Sequence, residues 1–281
     1  MRQVLVAAVL ALGVSRIAAA AIPEPVEVSL AASTAHVEPG KPFDVGVLLR
    51  MQPGWHVYWR NPGDAGLPTS VRWAAPPGFV VSALSWPVPR RFDQPGGVVG
   101  YGYADAVLLR STVTAPPAPA AQGPVALRAE VGWLACEQIC IRGKKSLDLM
   151  LGGDGAAANP AVFAEWAPRF PLEAGAVGTP ATVTARGGVP ADGSVGGVTV
   201  TLDWKEAPAS VEWFPPDDHA LAVEAATSRT DGARTLLTFR AKRLPGEQLN
   251  GSTLESVVAW TDASGKRHGL RVPIDLDGKE T

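Results

Sequence analysis

The feature that most constrains the fold is the repeated interruption of short apolar stretches by proline and glycine. The 281 residues include 26 prolines and 30 glycines, which end regular elements and occupy turns. The stretches between them show the alternation and β-branched content of strands. Helical patterns of about 10–15 residues do not separate these stretches, which disfavours a parallel sheet of βαβ units. We therefore predict an all-β protein.

The predicted strands fall into two groups, as in two β-sandwich domains in tandem. The first group covers residues 26–32, 43–51, 80–86, 107–113, 125–133 and 146–151. The second covers residues 198–203, 211–214, 221–227, 236–241, 254–261 and 270–274. Between them, residues 160–169 are predicted to form a short helix with Asn159 as its N-cap and Pro160 in its first turn. We place the domains at residues 22–152 and 179–281, with a linker at 153–178.

The amino terminus has the pattern of a secretory signal peptide. Arg2 precedes an apolar run over residues 4–14, and small residues at 18–21 supply a cleavage site. We predict a signal peptide at residues 1–21 and a periplasmic, exported protein. A membrane anchor is the alternative, but the apolar run is far shorter than the ~20 residues that a span requires. The formal net charge is −2 without a basic tract, which argues against nucleic acid and anionic membrane surfaces as partners.

The chain has two cysteines, and both lie in the segment Cys136-Glu137-Gln138-Ile139-Cys140. Such a short loop stabilises a fold by only about 2 kcal/mol in the chain-entropy model, less than a bridge across a domain. Two thiols held this close are suited to disulfide exchange. An extended strand would separate them by about 13 Å, so the chain must turn between them, and Gly143 is expected to end that turn. The pair is therefore predicted on a connection between two strands.

Other roles for the cysteine pair remain open from the residues alone. A non-exchanging disulfide that tightens a turn is one alternative, and a metal site is another. The four histidines are scattered along the sequence, and none has the spacing of a zinc site. Nearby cations at Arg142, Lys144 and Lys145 lower a thiol pKa, whereas Glu137 acts in the opposite sense. No cofactor or metal is predicted.

Aromatic residues are concentrated in the same predicted domain. Residues 54–66 contain three aromatic side chains within a five-residue stretch, just before a turn. They are core residues at the end of a strand, a surface that shields or docks against the thiols, or a platform on which a sugar stacks. The candidates for shielding or docking are Trp55, Tyr58, Trp59, Tyr101, Tyr103 and Trp133.

These segments together resemble a known family. Residues 54–66, Trp86-Pro87, Tyr101-Gly102-Tyr103 and the segment from Trp133 to Ile141 are similar, in order, to the amino-terminal periplasmic domain of the DsbD/ScsB family of thiol:disulfide interchange proteins. The resemblance covers about residues 26–151, and its extension beyond residue 152 is loose. It implies an immunoglobulin-like domain, and with the second group of strands we predict two tandem immunoglobulin-like β-sandwich domains.

The resemblance also implies a function. The cysteine pair would receive electrons from a membrane reductase and pass them to periplasmic partners, either thioredoxin-like or disulfide isomerase-like proteins. It places the attacking thiol at Cys140 and the resolving thiol at Cys136. The sequence contains neither the membrane domain nor the thioredoxin-like domain of full-length relatives, so we expect a separately encoded membrane partner.

One departure from the family pattern concerns the shielding of the disulfide. Better-known members carry a phenylalanine just before a Tyr-Gly pair, and here Val98-Val99-Gly100 precedes Tyr101-Gly102. Tyr101 or Tyr103 is therefore expected to take over the shielding. The competing interpretations are an exported interaction module with a structural disulfide and a copper-tolerance protein.

Overall fold

The computed structural model describes residues 24–117, 123–152, 158–249, 251 and 253–277. The predicted signal peptide at residues 1–21 lies outside this range. Within the described residues the chain is almost entirely antiparallel β-structure, interrupted by one short α-helix and two 3-10 turns.

The first half of the chain builds two facing sheets. Its strands are β1 (Val26–Ala32), β2 (Pro42–Met51), β3 (His56–Gly63), β4 (Ser70–Ala74), β5 (Val80–Val81), β6 (Arg90–Gln94), β7 (Val98–Ala104), β8 (Ala106–Thr114), β9 (Val125–Cys136) and β10 (Cys140–Leu151). One sheet has the order β1-β2-β8-β5. The other has the order β10-β9-β3-β7-β6, with β4 also paired to β9.

Alternation along the strands buries one face of each sheet. On β9, Leu127, Ala129, Val131 and Ala135 are fully buried, whereas the intervening residues Ala126, Arg128 and Glu130 are exposed. The buried side chains pack against those of the first sheet, including Val47, Leu49 and Leu109. Because side chains alternate across a strand, this pattern fixes which residues of β9 face the core.

The second half repeats the arrangement with its own pair of sheets. Its strands are β11 (Leu172–Glu173), β12 (Ala181–Gly188), β13 (Gly196–Trp204), β14 (Ser210–Phe214), β15 (Leu221–Asp231), β16 (Arg234–Arg243), β17 (Thr253–Thr261) and β18 (Arg267–Asp275). The sheet orders are β11-β18-β17-β14 and β12-β13-β16-β15. A second core of buried residues, among them Leu202, Phe239 and Val258, lies between these sheets. The predicted all-β fold class, with tandem sandwiches, is confirmed.

A short helix joins the halves. Helix α1 (Pro160–Trp166) continues into a 3-10 turn over Ala167–Arg169, close to the predicted range. Its side chains Val162, Phe163 and Trp166 are buried in the core of the first half. Asn159 is the N-cap residue, as predicted, but its side chain makes no capping hydrogen bond. Pro160 lacks an N–H and fits the first turn without one.

The two halves share a buried junction centred on Phe214, the last residue of β14. Its ring is fully buried and packs nearly perpendicular to the rings of Trp59 and Tyr101. The ring centroids are 5.9 and 5.2 Å apart, respectively. Polar contacts surround it. Arg60 forms an ion pair with Glu255 at 2.8 Å. The Asn61 amide donates to the Pro215 carbonyl at 3.0 Å, and Arg267 donates to the Pro89 carbonyl at 2.7 Å.

Strand β7 has an unusual composition that the packing explains. Gly100 and Gly102 alternate with Tyr101 and Tyr103, and the tyrosines face the core and the junction. The glycines leave the opposite face of β7 without side chains. A methyl group at Gly102 would overlap the backbone carbonyl of Val57 on β3, so the two strands approach each other closely there.

The strand prediction was incomplete. Residues 80–86 form a strand only at Val80–Val81, because the Ser82 hydroxyl accepts the Thr112 N–H and so replaces part of the backbone ladder. Strands β3, β4, β6, β7, β11 and β12 were not predicted, and Gly143 lies inside β10 rather than at the end of a turn.

Replacing Phe214 with alanine is expected to lower the free energy of unfolding by about 3–5 kcal/mol, because a fully buried ring leaves a cavity between the two halves. Urea unfolding monitored by tryptophan fluorescence measures the effect. Leu236→Ala is the matched control in the same half, since Leu236 is 41% exposed and its loss should cost only about 0.5 kcal/mol or less. Equal effects of the two substitutions would contradict a central role for Phe214.

Gly102→Ala is expected to destabilise the protein by about 1–3 kcal/mol, because the added methyl group overlaps backbone that cannot easily move. Gly197→Ala is the control. It also lies in a strand, but its added methyl group would have neighbours no closer than 3.6 Å. The same urea unfolding should leave this variant close to the parent protein. A neutral Gly102→Ala would show that β3 and β7 are not in the close contact described.

Candidate functional site

The two cysteines form a disulfide at the tip of the β9–β10 hairpin. Cys136 ends β9 and Cys140 begins β10, and they are direct partners in the antiparallel register. Their Cα atoms are 4.2 Å apart. The loop Glu137–Gln138–Ile139 closes the hairpin, with the Glu137 N–H donating to the Ile139 carbonyl at 3.1 Å. The chain thus turns between the cysteines. This was expected, because an extended strand would hold them too far apart for a disulfide.

The two cysteines differ in exposure. Cys136 is 3% exposed, whereas Cys140 is exposed. The loop between them is exposed as well, and Ile139 presents 60% of its surface to solvent. An approaching protein therefore meets Cys140 first, and the sulfur of Cys136 lies beneath the surface.

The disulfide lies on the outer face of its sheet. Ala135, next to Cys136, belongs to the inner, core-facing side, and successive residues of a strand face opposite sides. Residues directly opposite each other in a sheet share a face. His56 on β3 is the register partner of Cys136, so the imidazole lies on the outer face beside the cysteine.

Aromatic rings cover His56 on this outer face. Phe92 on β6 stacks on the imidazole with ring centroids 4.6 Å apart and planes 16° apart. Tyr58 meets the imidazole edge-on at 5.2 Å. Phe92 reaches His56 across β7, where Gly100 and Gly102 present no side chains. Burial lowers the pKa of His56, and its Nε2 atom is buried without a hydrogen-bond partner among the described residues.

The turn before β3 contacts the cysteine loop. The Trp55 N–H donates to the Gln52 carbonyl at 3.0 Å, and Gly54 has a positive φ of 86°, which suits glycine. A methyl group at Gly54 would lie 2.9 Å from a carboxylate oxygen of Glu137. This turn and the hairpin tip therefore pack against each other.

The predicted shielding residues lie in different places. Tyr58 is on the outer face, next to His56. Trp133 is on the hairpin but on the face opposite the disulfide, where its indole lies over Gly143. The remaining four are turned towards the core or the junction: Trp55, Trp59, Tyr101 and Tyr103. In particular, the Tyr103 hydroxyl donates to the buried carbonyl of Pro87 at 2.7 Å, on the side away from the disulfide.

Sequence reasoning missed two residues of the site, His56 and Phe92. The relevant signal for His56 was the alternation His56-Val57-Tyr58-Trp59, which puts His56 and Tyr58 on one face of a strand. No local pattern identifies Phe92, because its contact with His56 depends on the order of β3, β7 and β6 in the sheet.

The basic residues after the cysteines are divided between the two faces. Arg142 is the register partner of Leu134 and shares the face of the disulfide. Lys144 lies 3.6 Å from Glu130 in an exposed ion pair. Lys145 pairs with Val131 and so faces the other side. Arg142 and Lys144 thus share the face of the cysteines, and Lys144 is paired with Glu130.

Two other properties bear on the candidate functions. Across the described ranges, no three His, Cys, Asp or Glu side chains are grouped so that they could bind a metal ion. None of the helices in the described part of the chain is long and apolar enough to cross a membrane.

Comparison with known proteins gives a family for the amino-terminal half. Residues 23–151 match the family model described as thiol:disulfide interchange protein DsbD, N-terminal. A search of curated proteins gives no match.

Solved structures were compared with this chain as well. The amino-terminal periplasmic domain of ScsB from Proteus mirabilis matches 90% of this chain and 95% of its own length, at 18% identity and a TM-score of 0.60. The reduced amino-terminal domain of DsbD from Neisseria meningitidis covers 46% of this chain and 86% of its own length, at 15% identity and a TM-score of 0.26. The ScsB match shows a common fold. Together with the family model, it confirms the resemblance for the amino-terminal half: residues 23–151 form a domain of the DsbD amino-terminal type.

Proposed function

We propose that this protein carries out thiol–disulfide exchange in the periplasm through Cys136 and Cys140, passing electrons from a membrane reductase to partner proteins. The observation that carries the proposal is the difference in exposure between the two sulfurs on one hairpin tip. A disulfide that only closed a turn would gain little from such a difference. An exchange reaction needs one accessible thiol to attack and one protected thiol to resolve.

The order of the reaction follows from that exposure. In the reduced protein, the Cys140 thiolate attacks a sulfur of the partner's disulfide, and the partner's other sulfur leaves as a thiolate. Cys136 then attacks the Cys140 sulfur, re-forms the intramolecular disulfide and releases the partner's second thiolate. This chain loses two electrons and the partner gains two. Reversal of the same steps recharges the protein from an electron donor.

The surface around Cys140 suits a protein partner. Ile139 offers an exposed apolar contact beside the attacking sulfur. A groove of about 440 Å³ begins nearby on the hairpin and is lined by Leu67, Trp133 and Arg142, among others. Apolar contact with a few polar groups is typical of transient protein recognition. Thioredoxin-like or disulfide isomerase-like proteins are the proposed partners.

The periplasmic location is part of the proposal. It rests on the secretory pattern of residues 1–21 in the sequence and on the ScsB relative, whose matching domain is periplasmic. Disulfides persist in that compartment, where exchange partners are needed.

Cys136→Ser and Cys140→Ser are expected to fail at different steps. When reduced protein is mixed with oxidised thioredoxin, Cys136→Ser should accumulate a stable mixed disulfide through Cys140, because the resolving thiol is missing. Cys140→Ser should form almost none, because Cys136 is 3% exposed. Non-reducing electrophoresis after acid quenching measures both. Trapping through Cys136 instead would reverse the assigned roles, and wild-type protein that leaves thioredoxin oxidised would contradict exchange.

The reduction potential separates exchange from a purely structural disulfide. We expect a value above about −300 mV, in the range of thioredoxin-like proteins, whereas structural disulfides lie below that value. Equilibration in redox buffers of dithiothreitol, followed by thiol alkylation and mass spectrometry, gives the potential. A value well below about −300 mV would favour the interaction module with an inert bond.

A further inference from the structure

The side chain of His56 shares the outer face with the protected cysteine, Cys136, directly opposite it on the neighbouring strand. His56 and Cys136 are register partners on neighbouring strands β3 and β9. Side chains of such partners share a face, with Cβ atoms about 4.5–5.5 Å apart, a gap that an imidazole can span. The Nε2 atom of His56 is buried and has no hydrogen-bond partner in the described part of the chain. Buried polar atoms are normally paired, so this nitrogen calls for an explanation.

The ring is held in place from two sides. Phe92 stacks on it at 4.6 Å, and the Tyr58 ring meets it edge-on at 5.2 Å. Burial lowers the pKa of His56 below its usual value of 6.5, so the imidazole is neutral at neutral pH. A neutral imidazole has one nitrogen free to accept a proton.

The protected thiol needs a base. Cys136 is 3% exposed, and desolvation disfavours the charged thiolate form of a buried thiol. Yet Cys136 must lose its proton before it attacks the Cys140 sulfur. The disulfide form has no thiol proton for His56 to accept. This accounts for a Nε2 atom without a hydrogen-bond partner in the oxidised state.

The other charged and titratable groups on this face do not replace His56. By register and strand alternation, those nearest His56 are Tyr58 on β3, Arg90 on β6, Glu137 in the hairpin loop and Arg142 on β10. Farther along the same face, Glu130 pairs with Lys144 and Arg128 with Asp148, and Arg72 on β4 lies opposite Glu130. Strand β7 contributes Val98, Gly100, Gly102 and Ala104 there, none of which titrates. Arg90 and Arg142 are cations, and Tyr58 is a phenol. Glu137 is exposed and is directed towards Gly54.

We propose that His56 accepts the proton of the Cys136 thiol during the resolving step. Nε2 takes the proton, the Cys136 thiolate attacks the Cys140 sulfur, and the sulfur–sulfur bond to the partner breaks. The partner's thiolate leaves with the electron pair and is protonated by the imidazolium or by water. The proposal rests on the exchange function and assigns a residue to one of its steps.

The test separates the two steps with oxidised glutathione as the probe. Attack by Cys140 yields a protein–glutathione mixed disulfide and one glutathione, and resolution by Cys136 releases the second. Acid quenching and mass spectrometry measure the protein–glutathione mixed disulfide and the re-formed intramolecular disulfide over time at pH 6–9. The variants are His56→Phe, which keeps a ring against Phe92 without nitrogens, and His56→Gln, which keeps a hydrogen-bond acceptor that does not titrate. His36→Gln, at an exposed histidine, is the matched control.

Both His56 variants should accumulate the mixed disulfide, with resolution slowed at least ~10-fold near pH 7. The defect should shrink towards pH 9, because hydroxide then competes with the imidazole for the thiol proton. The attack step and the urea midpoint of the oxidised protein should stay close to those of the parent, and His36→Gln should behave like the parent throughout.

Three other results would overturn the assignment. Resolution at the parental rate in His56→Phe would show that the thiol needs no base here. A defect that is independent of pH would indicate packing alone, and full rescue by His56→Gln would indicate a hydrogen bond without proton transfer. Failure of exchange itself looks different, because reduced wild-type protein would then release no glutathione from the oxidised form.

Discussion

The site depends on one constraint, the pairing of β9 at Cys136. There β9 pairs with β10 on one side and with β3 on the other. One neighbour brings Cys140 opposite it, and the other brings His56. A slip of β9 by one residue against its neighbours would turn Cys136 towards the core, because side chains alternate with a period of two. The slip is prevented by the inner face of β9, where residues such as Leu127 and Val131 are fully buried. The apolar pattern of the strand therefore sets the chemistry on its other face.

The two ends of strand β3 contribute to different parts of the molecule. Its amino-terminal part places His56 and Tyr58 on the outer face, beside the disulfide. Further along, Trp59, Arg60 and Asn61 contact the second half of the chain through Phe214, Glu255 and Pro215. The aromatic segment is thus neither purely core nor purely docking surface. Alternation and strand length separate the two uses within a few residues.

Much of the fold was predictable because most strands of this chain show their alternation locally. Strand β1 was predicted with its observed bounds, and the hairpin nature of the cysteine segment followed from a distance argument. Strand β7 was missed because Gly100 and Gly102 have low β-propensity. They are used there because β3 and β7 approach too closely for a side chain at Gly102.

The arrangement of the site around the disulfide was less predictable than the disulfide itself. Which aromatic ring lies over which face depends on sheet order, and sheet order is non-local. The expected shielding by Tyr101 or Tyr103 assumed that proximity in sequence to a family motif meant proximity to the sulfurs. In the structure the tyrosines of β7 face the core side, and Phe92 from the next strand occupies the outer face with His56.

The geometry of β3 also indicates how the second half bears on the site. Trp59 to Asn61 lie three to five residues from His56, which corresponds to about 10–17 Å along a strand. That distance is too long for Phe214 or Glu255 to act on the sulfurs through direct contact. The second half instead holds the carboxyl end of β3, while Cys136 and Ala104 pair with its first residue. A strand fixed at both ends cannot change register alone, so the junction contributes to exchange by keeping His56 opposite Cys136.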